Sequence, residues 1–168
     1  MMLEIALDAD EEWDSSSPWE KLVRRAAEAA IAESAHAQIL DSQRPLEISV
    51  TLTGNEQVRA LNAKWRGKDK PTNVLSFPMV DELDLTRANI ADRELLLGDI
   101  VLARGVCLNE AVEKGVSFEN HAAHLLVHGT LHLLGYDHQD ERDAADMEAR
   151  EVRALARLGI ANPYEVHA

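Results

Sequence analysis

The stretch from Ser117 to Gly135 constrains this chain more than any other. Ser117 is a good helix N-cap, because its hydroxyl oxygen can accept from the open N–H groups of a first turn. Gly135 can take the left-handed conformation that ends a helix and reverses the chain. The residues between them predict a helix from Ser117 to about Leu134. Two histidines on it, His128 and His132, are four apart. With 3.6 residues per turn their side chains lie one above the other on one face.

That spacing lets two imidazoles reach one ion at about 2.0–2.1 Å. A third ligand must arrive from another direction, and the bend at Gly135 can bring His138 back toward the ion. The pattern is H-x3-H-x5-H with a glycine at the corner, the spacing of the metzincin metalloprotease signature. Three histidines leave a fourth position for water, the arrangement of a catalytic zinc site. One Zn2+ per chain is therefore expected. In the proteases the residue after the first ligand is a glutamate that serves as general base; here it is Gly129. The absence counts against peptide hydrolysis by the usual route. It leaves open the cleavage of a phosphodiester, where a cation can stabilise the charged transition state. His121 and His124 lie on the same helical face, and would extend the site, line its cleft or simply pack. Asp137, next to a ligand, is a candidate proton donor or a partner for a ligand's second ring nitrogen. Ser76, Asp99 and Met147 read as structural, with Met147 packed beneath the site.

The formal net charge is −13, so the chain as a whole repels phosphate backbones. One segment departs from this. Between positions 59 and 70 stand Arg59, Lys64, Arg66, Lys68 and Lys70 against Asp69 alone. Trp65 sits among them and can stack on a base. The run reads either as a phosphate-binding element or as a solvated loop. The lone cysteine, Cys107, reads as a small buried residue. No segment has the apolar length of a membrane span or the pattern of a leader. A cytoplasmic protein with no membrane partner is expected.

Aromatic residues are only 4% of the 168, so Leu, Val, Ile and Ala must supply most of the core. Strands are expected at 2–8, 46–53 and 73–79, the last stopped near Pro78. A further strand is expected at 99–103 within 95–103. Helices are expected at 19–39, 55–64, 104–114, 117–134 and 141–158. Residues 8–18 and 65–72 read as loops, and 81–94 as irregular. Strands interleaved with about five helices predict one layered α/β (α+β) domain over 1–168.

Three segments, Trp65-Arg-Gly-Lys-Asp-Lys-Pro-Thr-Asn-Val-Leu-Ser-Phe-Pro78, Leu97-Gly-Asp-Ile-Val101 and His124-Leu-Leu-Val-His-Gly-Thr-Leu-His-Leu-Leu-Gly-Tyr-Asp-His138, resemble the bacterial YbeY family. The closing Leu158-Gly-Ile-Ala-Asn-Pro-Tyr164 is similar to that family's C-terminal end. The resemblance covers most of residues 46–164. It implies an α/β fold with a small mixed sheet and a helix bearing the first two of the zinc ligands His128, His132 and His138. It also implies that Arg66 is the functional arginine facing the metal cleft. The activity implied is single-strand-specific endoribonuclease action in maturing the 3′ end of small-subunit rRNA and in ribosome quality control. The implied partners are rRNA, the small ribosomal subunit and its assembly factors, with no role for DNA. Lys64, Trp65, Lys68 and Lys70 are the expected RNA contacts, and Asp137 and His124 the expected supports behind the ligands. Two rival readings are a zinc-containing ribosome-assembly factor with little nuclease activity and a zinc peptidase.

Overall fold

The computed structural model describes residues 3–13, 18–41, 45–86, 94–137 and 139–165. The short apolar alternations at 3–9 and 46–53 form strands β1 (Leu3–Ala9) and β2 (Leu46–Thr53), paired in parallel with Leu3 opposite Leu46. A parallel pair needs a crossover, and α1 (Trp19–Ala32) provides it. After β2 come α2 (Asn55–Arg66), β3 (Val74–Pro78), α3 (Glu82–Thr86) and β4 (Leu95–Ala103). Strand β4 lies parallel to β2 and antiparallel to β3, giving the sheet order β1-β2-β4-β3. Helices α4 (Arg104–Lys114), α5 (Phe118–Leu133) and α6 (Glu141–Arg157) complete the fold. The small mixed sheet is the one expected. None of the described helices is long and apolar enough to cross a membrane.

The two faces of the sheet are covered unequally. One face carries the main core, where Ile48, Val50, Leu52, Ile100 and Leu102 pack with α1 and α5. On the other, α2 lays Val58 and Leu61 over Leu75, Val101 and Ala103. Strand β4 is therefore apolar on both faces near its C-terminal end, whereas β2 alternates for most of its length. Helix α5 runs through the middle, and eleven of its sixteen residues are buried. A helix apolar nearly all round belongs inside a core. Its ends are as expected: Ser117 Oγ accepts from the Asn120 N–H at 3.1 Å, and Gly135 has φ +100°.

Three boundaries differ from expectation, each for a local reason. Helix α1 stops at Ala32 instead of reaching Ile39. There the Ser34 hydroxyl donates to the Ile31 carbonyl (2.7 Å) and accepts from the His36 N–H (3.0 Å), closing a turn that competes with the helical ladder. A 3-10 turn, Ala37–Leu40, follows. The stretch expected to be irregular begins with α3, because Asp81 and Asp84 each accept the other's backbone N–H, at 2.8 and 3.1 Å, in a reciprocal cap. This makes six α-helices among the described residues instead of about five. Residues 87–93 of that stretch lie outside the described ones. Helix α2 runs two residues beyond Lys64, to the left-handed Gly67, so Trp65 and Arg66 belong to its last turn and not to a loop.

Close approach decides the sequence at two glycines. Gly98 has φ +144°, and a Cβ there would sit 2.3 Å from the Phe77 carbonyl oxygen and 2.8 Å from Leu133 Cδ2. It lies where the β2–β4 register shifts, opposite Ile48. The end of α5 is thereby seated against β3 and β4. The same seating crowds Gly129, where a Cβ would meet Ser76 Oγ and Ile100 Cγ2, each at 3.1 Å.

A candidate metal centre and its cleft

The His-bearing side of α5, β3 and the chain after Gly135 enclose a cavity of about 510 Å³. His128 and His132 form one wall, Val74, Ser76 and Pro78 of β3 another, and Tyr136 and Asp137 the rim. Arg66 reaches the opening from the end of α2.

The two imidazoles are fixed by their far nitrogens. His132 Nδ1 lies 2.7 Å from the Tyr136 carbonyl oxygen. A carbonyl only accepts, so that nitrogen carries the proton and donates. His128 Nδ1 donates to the Glu151 carboxylate at 3.0 Å. In neutral rings both Nε2 atoms then present lone pairs, and these stand 3.0 Å apart. Two ligands of a tetrahedral Zn2+ at the usual bond length are about 3.3 Å apart. A donor set of paired imidazole nitrogens, each backed by an acceptor on its other nitrogen, is the chemistry that a divalent metal takes, so these residues fit one. The third expected ligand, His138, lies outside the described residues. Among the described residues no group of three His, Cys, Asp or Glu side chains gathers in the same way.

Glu151 is the residue that sequence reasoning missed. It is fully buried on α6, on one stripe with Met147, Ala154 and Leu155. Burial works to raise its carboxyl. Hydrogen bonds from His124 and His128, with the attraction of their rings, outweigh burial and hold it at about 2. The signal was a carboxylate on the apolar stripe of an amphipathic helix, a position such residues rarely occupy without a partner. His124 Nε2 donates to Glu151 Oε1 at 3.1 Å, which puts His124 behind His128, away from the cleft. His121 is buried too, 2.8 Å from Glu110 Oε1, and burial pulls its pKa below the ordinary value. Glu110 also accepts from Asn73 Nδ2 at 3.0 Å, and so ties α4 and α5 to the start of β3. Asp137 is exposed at the rim and accepts from Gln139 Nε2 at 3.1 Å. Met147 is fully buried in the main core. Cys107 is also buried, and burial pushes its thiol up to about 12, far from a nucleophile's range.

The basic run divides once placed in space. Arg59 is committed to Glu56 at 2.9 Å and to Asp69. Lys68 and Lys70 line a second cavity of about 420 Å³, beside the first, and Arg66, Thr72 and Asn73 border both. Lys64 and Trp65 line neither. Lys64 Nζ sits 5.0 Å from the Trp65 ring, and the indole is 62% exposed.

A family model described as endoribonuclease YbeY matches residues 7–159. The chain is 52% identical over 166 residues to the endoribonuclease YbeY of Rhizorhabdus wittichii, covering 98% of each protein. To that of Sphingopyxis alaskensis it is 52% identical, covering 97% of this chain and 98% of the relative. To that of Zymomonas mobilis it is 47% identical, covering 99% and 95%. A solution structure of a Thermotoga maritima protein superposes with a TM-score of 0.54 at 22% identity, over 98% of this chain and all of the other. At that identity the likeness is one of fold.

Proposed function

The chain belongs to the endoribonuclease YbeY family, and from that premise we propose that it is a zinc-dependent endoribonuclease acting on single-stranded RNA, with His128, His132 and His138 as the metal ligands. The observation that carries the reading is the facing pair of Nε2 atoms, 3.0 Å apart in the wall of a cleft that Arg66 borders. A bound divalent cation supplies Lewis acidity toward a phosphate and lowers the pKa of an attacking water.

The rest falls to the chain's own groups. Arg66 offers a guanidinium fork that can hold two phosphate oxygens at once. That grip orients the scissile group and offsets charge as it develops. Lys68 and Lys70, along the adjoining cavity, extend positive charge in the direction a strand would leave. Lys64 and Trp65 offer a cation and a stacking face at the exposed end of α2. Asp137, on the rim, is a candidate for proton delivery or for supporting a ligand's second ring nitrogen. A protease-type glutamate at position 129 would be tightly placed, since its Cβ would stand 3.1 Å from Ser76 Oγ and Ile100 Cγ2 and those side chains would have to give by a few tenths of an ångström. That crowding favours the nuclease over the peptidase. The substrate we propose is the 3′ end of small-subunit rRNA, met in the cytoplasm on the small ribosomal subunit with its assembly factors, in maturation and quality control.

The test is cleavage of single-stranded RNA by protein freed of contaminating nucleases. The parent should cut. His132→Ala and Arg66→Ala should each lose at least a hundredfold in rate, the scale of removing a transition-state charge partner. Equal cutting by parent and both variants would assign the activity to a contaminant and overturn the reading.

A further inference from the structure

Behind His128 lies a closed cluster that reaches to the last described turn of the chain. Glu151 Oε1 receives three hydrogen bonds: His128 Nδ1 at 3.0 Å, His124 Nε2 at 3.1 Å and the Tyr164 hydroxyl at 3.1 Å. Oε2 lies 3.0 Å from the same hydroxyl. His124 Nε2 is also 3.2 Å from the Tyr164 oxygen, so one N–H is shared between carboxylate and phenol. The His124 and Tyr164 rings meet edge to face with centroids 5.4 Å apart. Tyr164 is carried there by the turn after α6, where its own N–H donates to Asn162 Oδ1 at 2.8 Å.

A carboxylate with no exposure is costly unless its lone pairs are met. Packing alone would be served by an apolar residue, as at Met147, Ala154 and Leu155 on the same stripe. What a carboxylate adds is directed at His128. It fixes the proton on Nδ1, orients the ring, and raises the basicity of the Nε2 atom that faces His132. His124 and Tyr164 keep the carboxylate from turning away.

We propose that Glu151, clamped by His124 and Tyr164, is the positioning residue for His128, so that the C-terminal turn sets how tightly the centre holds its metal. This rests on the metal reading above. It makes residues 158–165 part of the centre's support, although none of them lines the cleft.

The experiment measures zinc affinity by chelator competition on the full chain, with Co2+ as a second probe read by its visible spectrum. Folding of every variant is checked by circular dichroism. Glu151→Gln should bind zinc about 10–100-fold more weakly, the usual cost of losing such a partner. Its Co2+ bands should shift. Tyr164→Phe, which keeps the ring and removes only the hydroxyl, should lose several-fold. Glu151→Asp should recover part of what Gln loses. A merely structural role predicts a lower melting temperature without metal but unchanged zinc affinity and spectrum. Folded Glu151→Gln and Tyr164→Phe with parental affinity overturn the proposal. If Glu151→Gln fails to fold, Tyr164→Phe decides alone. A parent that takes up neither metal overturns the metal reading, and this proposal with it, whereas a metal-binding parent with unaffected variants overturns this one alone.

Discussion

The two walls of the cleft are built on opposite plans. The histidine wall is interior. His128 and His132 project from a helix buried nearly all round, and a carbonyl and a carboxylate fix their far nitrogens. The arginine wall is surface. Arg66 stands at the exposed last turn of α2, beside Lys68 and Lys70, with solvent on most sides. The first wall is preorganised, as a metal demands. The second is left adaptable, as a flexible phosphodiester chain demands. On the proposed function, metal binding and phosphate binding would fall to different kinds of structure within one cleft.

Separate measurements should split the walls. His128→Ala or His132→Ala should abolish stoichiometric zinc binding and lower RNA cleavage on the order of a thousandfold, the several kcal/mol that a Lewis acid contributes. Arg66→Ala should lower cleavage about a hundredfold with zinc content unchanged, and Arg66→Lys should restore little, since an ammonium lacks the fork. If Arg66→Ala also loses zinc, the division between the walls is wrong.

The histidine wall was mostly legible in the sequence and the arginine wall only in part, for physical reasons. A helix cap, a helix stop and two histidines one turn apart are local signals, and Ser117, His128, His132 and Gly135 all lie within one element or its ends. Glu151 contacts His128 from a different helix, and only its place on an apolar stripe marked it. Arg66 falls in the expected loop 65–72, whereas α2 continues to the left-handed Gly67 and holds it in its last turn. The expected helix over 19–39 overruns α1 because its alanine-rich run carries strong helix propensity, while Ser34 ends it through a local turn, donating to the Ile31 carbonyl and accepting from the His36 N–H. Those departures divide between local stops, at Ser34 and Gly67, and a contact distant in sequence, at Glu151. Propensity is summed along the chain, but some side-chain hydrogen bonds and buried charges are settled by neighbours distant in sequence, such as the Tyr136 hydroxyl, which accepts from the Ala35 N–H at 2.8 Å.

Packing offers a sharper probe of the interior wall. Gly129→Ala should destabilise the fold by about 1–3 kcal/mol, because overpacking must displace Ile100 or Ser76. Urea unfolding should show this as a lower midpoint at an unchanged slope. A neutral result would mean that the Ser76 and Ile100 side chains yield the few tenths of an ångström a Cβ needs. On the exposed wall the effects should be smaller and depend on salt. Lys68→Ala and Lys70→Ala should each weaken RNA binding a few-fold and reduce the salt slope by about one. Lys64→Ala should act similarly only if RNA reaches past the two cavities to the end of α2. A loss that ignores salt would argue against phosphate contact.

The smallest expected effect concerns what holds α6, and with it Glu151, in place. Glu33, just past the end of α1, accepts from Arg157 Nε at 2.6 Å and Arg153 Nε at 3.0 Å, while its backbone carbonyl accepts from Arg150 Nη1 at 2.7 Å. The Arg157 hydrogen bond is the largest influence on its carboxyl, and with Arg153 it outweighs burial and holds the group below the ordinary carboxylate value. The folded pKa is depressed, so the stabilisation is present above the unfolded pKa and fades as pH falls through the folded one. Both arginine side chains are more than half exposed, and exposed pairs contribute at most about 1 kcal/mol. Glu33→Gln should therefore lower the melting temperature slightly at neutral pH and hardly at all in acid. It should leave zinc affinity unchanged, because the backbone hydrogen bond to Arg150 and the buried stripe of α6 remain. A fall in zinc affinity in Glu33→Gln would show that the interior wall is less self-contained than its burial suggests, and that a surface clamp reaches the metal through α6.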